Sequence, residues 1–157
     1  MDISYINGNN KFNYRVGAII IYDNKLLVMR DERSPYYYLP GGRVKMNETA
    51  DQAITREIQE ELNIGCKIIR PLWLSQSFFN EDVDKIDYHE LCIYYLIELS
   101  NKELYKKNIF ILNEGNHTLK FEWLEFDRLQ NEYFYPLFLK KEIYNLPEHF
   151  TIRTDYE

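Results

Sequence analysis

Apolar residues run almost unbroken through residues 14–22 (YRVGAIIIY), with many β-branched side chains. Such a run predicts a strand buried on both faces. Asp23-Asn24 is a turn signal, and residues 25–30 (KLLVMR) read as the return strand of a hairpin. After a loop over 31–35, residues 36–39 predict a short strand closed by Pro40-Gly41-Gly42. The apolar period then lengthens, and one helix is expected to end near Leu62-Asn63. Thr49 serves as its N-cap with Gln52 three residues on, a capping box. Asn63 suits a left-handed C-terminal position. Residues 66–79 predict a strand interrupted by Pro71, residues 82–87 an acidic solvated loop, and residues 87–99 a long strand. Residues 100–118 are polar and weakly patterned and read as a loop with short irregular elements. Alternation over 119–126 predicts a final strand, and residues 127–129 a helical turn. Pro136 starts a late helix, with Leu137, Phe138, Lys141 and Tyr144 on one face, and Pro147 stops it. Residues 1–12 are expected to be a frayed lead-in and 148–157 a loosely held tail. The sum is a layered α/β or α+β domain spanning 1–157, with no internal repeat.

The central helix carries its charges on the wrong side. At roughly 100° per residue, Ala50, Ala53, Ile54, Glu57 and Glu61 share one face, and Glu60 lies at its margin. A surface helix normally docks an apolar stripe and turns its carboxylates outward. Two unit charges about 4 Å apart repel by ~4 kcal/mol at an effective dielectric near 20. A cation or a bound proton must offset such a cluster. Hard divalent metals prefer oxygen ligands of this kind.

Composition narrows the setting. A chain of 157 residues is long enough for a proper core, and 45% hydrophobic content with 14 Tyr and 9 Phe favours folding over disorder. The formal charge of −6 argues against a nucleic-acid binder but leaves a nucleotide substrate allowed through a bridging metal. Cys66 and Cys92 make no disulfide framework and read as buried thiols in a reducing compartment. The polar start predicts no secretory signal, and no stretch approaches a membrane span, so a cytoplasmic protein is expected.

Taken with its spacing, the central stretch is Gly42, five residues, Glu48, seven residues, then Arg56-Glu57-Ile58-Gln59-Glu60-Glu61-Leu62-Asn63-Ile64. This resembles the Nudix box, the signature of hydrolases that cleave a nucleoside diphosphate linked to another group. Every charged position is present, and Asn63 stands where the pattern has glycine. The Leu39-Pro40-Gly41-Gly42 segment and the strand around Glu122-Trp123 are also similar to that family. The resemblance implies a Nudix-type α/β/α sandwich with a central mixed sheet and the box helix packed on it. It implies that Glu57 and Glu61 ligate Mg²⁺ or Mn²⁺, with Glu60 a third or water-mediated ligand and a backbone carbonyl from Gly41. Arg56 is expected to orient a glutamate and to reach Glu48. For the proton-accepting base, Glu57 is the first choice and Glu60 the second; Glu114 and His117 are the candidates outside the box.

Weaker signals complete the reading. Arg15, Arg30 and Arg33 flank the expected site and are candidates for holding phosphates. Tyr38 and Phe79 are candidates for stacking on a base, although alternation in a half-buried sheet accounts for them equally well. The expected reaction is metal-dependent hydrolysis of an acid anhydride in a small nucleotide: a nucleoside triphosphate, ADP-ribose or a nucleotide sugar. A homodimer stays open. Two alternatives share the fold: a catalytically silent nucleotide-binding domain, and an isoprenoid-diphosphate isomerase, which needs a reactive cysteine that neither strand-like thiol supplies.

Overall fold

The computed structural model describes residues 1–157. Strand β1 (Ser4–Asn7) pairs with β2 (Asn10–Ile19) through a tight turn in which Gly8 takes a positive φ of 62°. The lead-in is therefore not frayed: Ser4 and Tyr5 sit opposite Asn13 and Phe12. After β3 (Ile21–Tyr22), Asp23 and Asn24 both adopt positive φ, the backbone a two-residue hairpin demands, and β4 (Lys25–Asp31) returns. Residues 36–39 form no ladder strand; Tyr37 and Tyr38 make only isolated bridges, to Phe134 and Met29. The strand sits slightly later, as β5 (Gly41–Arg43) against β2.

Helix α1 (Ala50–Leu62) is capped as its sequence dictates. Thr49 Oγ1 accepts the Gln52 amide at 3.1 Å, and Gln52 Oε1 accepts the Thr49 amide at 2.9 Å. Asn63 closes the helix at φ 58°. Strand β6 (Cys66–Asn80) runs straight through Pro71, whose missing donor is accommodated by register shifts on either side of it. It pairs antiparallel with β7 (Asp87–Leu99), which lies parallel to β2.

Three expectations for the second half change. Within 100–118, residues Ile109–Glu114 form β8, which hairpins with β9 (His117–Glu125). Short helix α2 (Phe126–Leu129) follows, but the late helix shrinks to one turn, α3 (Leu139–Glu142). The tail is β10 (Thr151–Tyr156), paired in parallel with β6 from Thr151↔Trp73 to Tyr156↔Phe78. Charges and alternating small residues masked this segment in the sequence, and its partner strand lies some 78 residues away.

Two layers result: a mixed six-stranded sheet ordered β1-β2-β7-β6-β10 with β5 on β2, and an antiparallel four-stranded sheet ordered β3-β4-β9-β8. One core packs Ala53, Ile54, Ile58 and Leu62 of α1 against β2, β4, β7 and β9, with Trp123 inside it. A second core, with Trp73 inside it, holds Leu129, Phe134, Leu139 and Ile143 against the alternate residues of the same strands. Helical segments thus cover both sides of the sheets. No helix is long and apolar enough to cross a membrane.

Candidate active site

The glycine pair and the helix meet because nothing stands between them. An ideal Cβ on Gly42 would lie 2.3 Å from Glu57 Oε1, so only glycine lets the β5 backbone and that carboxylate touch. Gly41 has φ 151°, and a Cβ there would meet the Val16 carbonyl at 2.2 Å. Its amide donates to Glu61 Oε1 at 2.9 Å. Glu61 is only 6% exposed, on the docking face its spacing assigns.

Arg56 organises the rest. Its Nε and Nη2 donate to the two oxygens of Glu48 at 2.7 and 2.9 Å, a bidentate pair. Nη2 also donates to the Arg43 carbonyl at 3.0 Å, which fixes the loop to β5. Nη1 donates to Glu57 at 2.9 Å and Glu60 at 3.3 Å. The consequences for ionisation diverge. Arg56's hydrogen bonds hold Glu48 down at about 2. Burial raises the pKa of Glu57 despite the guanidinium beside it. Burial, then the charge of Glu57, pushes Glu61 well above the usual carboxylate range.

These groups edge a cleft of about 1070 Å³, lined among others by Arg15, Tyr38, Gly42, Glu57, Glu60 and Glu114. Arg15 on β2 makes no ion pair; burial works against its charge, but Glu90, Cys92, Tyr94 and Glu61 together outweigh that and its pKa is raised. Arg33 reaches the cleft already committed to Asp31, at 2.5 Å. Tyr38 donates to the same Asp31 at 3.1 Å, and Phe79 stacks on Tyr88 with centroids 5.1 Å apart. Arg30 and His117 are not among the lining residues. The Arg30 guanidinium covers the Tyr37 ring at 4.7 Å, and His117 bonds Glu32 at 2.7 Å and Arg33 at 3.1 Å. Both were reasonable from sequence proximity, but strand register turns them elsewhere.

The acidic turn after β6 is solvent-exposed at Asp82 and Asp84, as expected, but its carboxylates are also tied to tyrosines. Tyr36 donates to Glu81 at 3.0 Å, and Tyr133 and Tyr135 both donate to Asp82. Glu81 and Asp82 line the cleft, as do Asn13, Glu90 and Glu157. The sequence signals none of these five, since their partners are remote in the chain.

The residues present fit a divalent cation. They are oxygen donors, the buried Glu61 and the half-buried Glu57 both have raised pKa values, and the glycine strand leaves backbone within reach. No three acidic, histidine or cysteine side chains are already drawn together as a cage, since Arg56 lies among the glutamates.

A family model described as NUDIX domain matches residues 11–144. The chain belongs to the Nudix family. An ADP-ribose pyrophosphatase of Methanocaldococcus jannaschii is 39% identical over 56 residues, covering 34% of this chain and 33% of that protein. A nudix hydrolase of Caenorhabditis elegans is 30% identical over 77 residues, 45% of this chain and 21% of that protein. This Nudix chain thus spans between a fifth and a third of those curated relatives. Among solved structures, a UDP-X diphosphatase superposes with TM-score 0.64 at 17% identity, over 90% of this chain and 66% of that one. At that identity the likeness shows the Nudix fold alone.

Proposed function

We propose that residues 1–157 act as one hydrolase domain that cleaves the diphosphate of a nucleoside diphosphate linked to a further group, with a divalent cation. The observation that carries this is the meeting of Glu57 and Glu61 with the Gly41-Gly42 backbone, beside a cleft that Glu57 and Glu60 line and one arginine braces. A relative described as an ADP-ribose pyrophosphatase supports the same reaction class.

Glu61, Glu60 and the Gly41 backbone are the groups that would hold Mg²⁺ or Mn²⁺. When bound, the cation supplies charge neutralisation at the phosphates and polarises them toward attack. Glu57 faces the cleft and takes the proton of the attacking water. Arg56 orients Glu57 through Nη1 and is itself aligned by Glu48, so its role is positioning. Arg15, which makes no ion pair, holds a phosphate oxygen. The water's oxygen bonds to phosphorus, the bridging P–O bond breaks, and two phosphate-bearing products leave. Cys92 does not suit isomerase chemistry: burial pushes its thiol up to about 12, so it stays protonated.

Product release from a panel of nucleoside diphosphate derivatives with Mg²⁺ tests the reading. Wild type should cleave at least one, and Glu57→Gln should lose about 10²–10⁴-fold. Binding of a nucleotide without cleavage of any would leave a silent binding domain instead.

A further inference from the structure

The cleft has a second acidic wall, and its charges are held differently from those of the helix. Glu81, Asp82 and Asp84 line it from the turn between β6 and β7. Tyr36 donates to Glu81 Oε1 at 3.0 Å, Tyr135 to Asp82 Oδ2 at 2.8 Å, and Tyr88 to Asp84 Oδ2 at 3.0 Å. Tyr133 donates to the same Asp82 oxygen. A neutral tyrosine hydroxyl fixes a carboxylate without cancelling its charge. Nearby on β7, Glu90 is only 9% exposed. One of its oxygens accepts Asn13 Nδ2 at 3.4 Å; the other has no donor from the protein, and the side chain borders the cleft.

Cations within the cleft do not balance these groups, although Lys85 and Lys11 act on Asp82 and Asp84 from outside it. Ten acidic and five basic residues line the cleft, and three of the five are already engaged. Arg33 pairs with Asp31, Arg43 with Asp2 at 3.6 Å, and Arg56 with Glu48 and Glu57. Arg15 and Lys45 are left for a ligand's phosphates. A terminal phosphate carries about −1.5 to −2 at neutral pH, because its second ionisation falls near pH 6. A phosphate esterified on both sides lacks that second ionisation.

We propose that the cleft selects substrates by charge. It takes a diphosphate esterified at both ends, whose negative charge stops at two phosphates beside Arg15 and the glycine strand. It rejects nucleotides with a further, terminal phosphate. The group lying along the acidic turn is uncharged and rich in hydroxyl or amide donors, and the free oxygen of Glu90 accepts one of them. The selecting residues are Glu81, Asp82 and Glu90. This rests on the hydrolase reading above, and it sets nucleotide sugars above nucleoside triphosphates.

The test compares UDP-glucose with UTP and ADP-ribose with ATP, in Mg²⁺, for wild type, Glu90→Gln and the double variant Glu81→Gln/Asp82→Asn. The amide carbonyls still accept the tyrosine hydroxyls, so the double variant removes charge and keeps those bonds, although Glu81→Gln gives up the Val83 and Asp84 amides that Oε2 accepts; thermal melting verifies its fold. Wild type should favour a sugar derivative over its triphosphate in kcat/KM by about tenfold or more. The double variant should narrow that ratio by about tenfold, through the KM of the triphosphate. Glu90→Gln should raise the KM of the sugar derivative. Preference for the triphosphate, or an unchanged ratio in a folded double variant, would overturn the charge selection while the hydrolase reading stands. An unchanged KM in Glu90→Gln would overturn its contact. Cleavage of none of the four would overturn the hydrolase reading and this inference together.

Discussion

Two groups of carboxylates share one cleft and answer the same electrostatic problem in opposite ways. On α1, Glu57 and Glu60 lean on a guanidinium that Glu48 aligns. In the turn after β6, Glu81, Asp82 and Asp84 lean on tyrosine hydroxyls. A guanidinium supplies both a donor and a compensating charge, whereas a phenol supplies only the donor. The helix group is thus poised to exchange one cation for another, while the turn keeps its field. Carboxylates on two walls can therefore serve opposite ends: in the proposal above, one wall gathers phosphates and the other turns them away.

Removing the guanidinium should have the largest effect. Arg56→Ala leaves Glu48 and Glu57 without their shared partner and should cost about 3 kcal/mol in urea unfolding. The comparison breaks if the melt is unchanged, since the glutamates would then not depend on it. Gly42→Ala should keep the fold but displace the Glu57 carboxylate, for an activity loss of about a hundredfold in kcat/KM. Acid should also expose the helix pair. The native pKa of Glu48 is depressed to about 2, so its stabilisation is full above the unfolded value of about 4.3. That stabilisation is lost as pH falls through the window between those values. In Glu48→Gln the urea midpoint should vary less across that window than in wild type; identical slopes would assign the acid sensitivity elsewhere. The smallest effect belongs to the turn. Tyr36→Phe removes one hydroxyl donor to Glu81 and should cost about 1 kcal/mol.

What could be read from the chain follows the same division. The helix group is local: Glu48, Arg56, Glu57, Glu60 and Glu61 lie within fourteen positions, and helical geometry alone sets their faces. Its caps, Thr49 and Asn63, are local too and adopt the conformations their side chains favour. The turn group is not local. Tyr133 and Tyr135 close on Asp82 across some fifty residues, and no spacing rule links them. Strands β2 and β4 announce themselves by apolar runs, because both of their faces are buried, and β9 announces itself by alternation. Strands β1 and β10 lie at sheet edges with mostly exposed side chains, so their patterns carry little burial signal. Arg30 illustrates the limit from the other side: its type and position suited a phosphate, yet the β4 register lays it on Tyr37.

The chain has two tryptophans, and the fold deals one to each core. Trp123 lies beneath the glutamate helix and donates its indole N–H to the Leu104 carbonyl; Trp73 lies on the opposite side, edge-on to Phe138. Replacing either with phenylalanine would leave an emission spectrum that watches one side of the sheets alone. A titration with Mg²⁺ followed in the two single-tryptophan proteins would thus locate where loading is felt, with no substrate present and no turnover to measure.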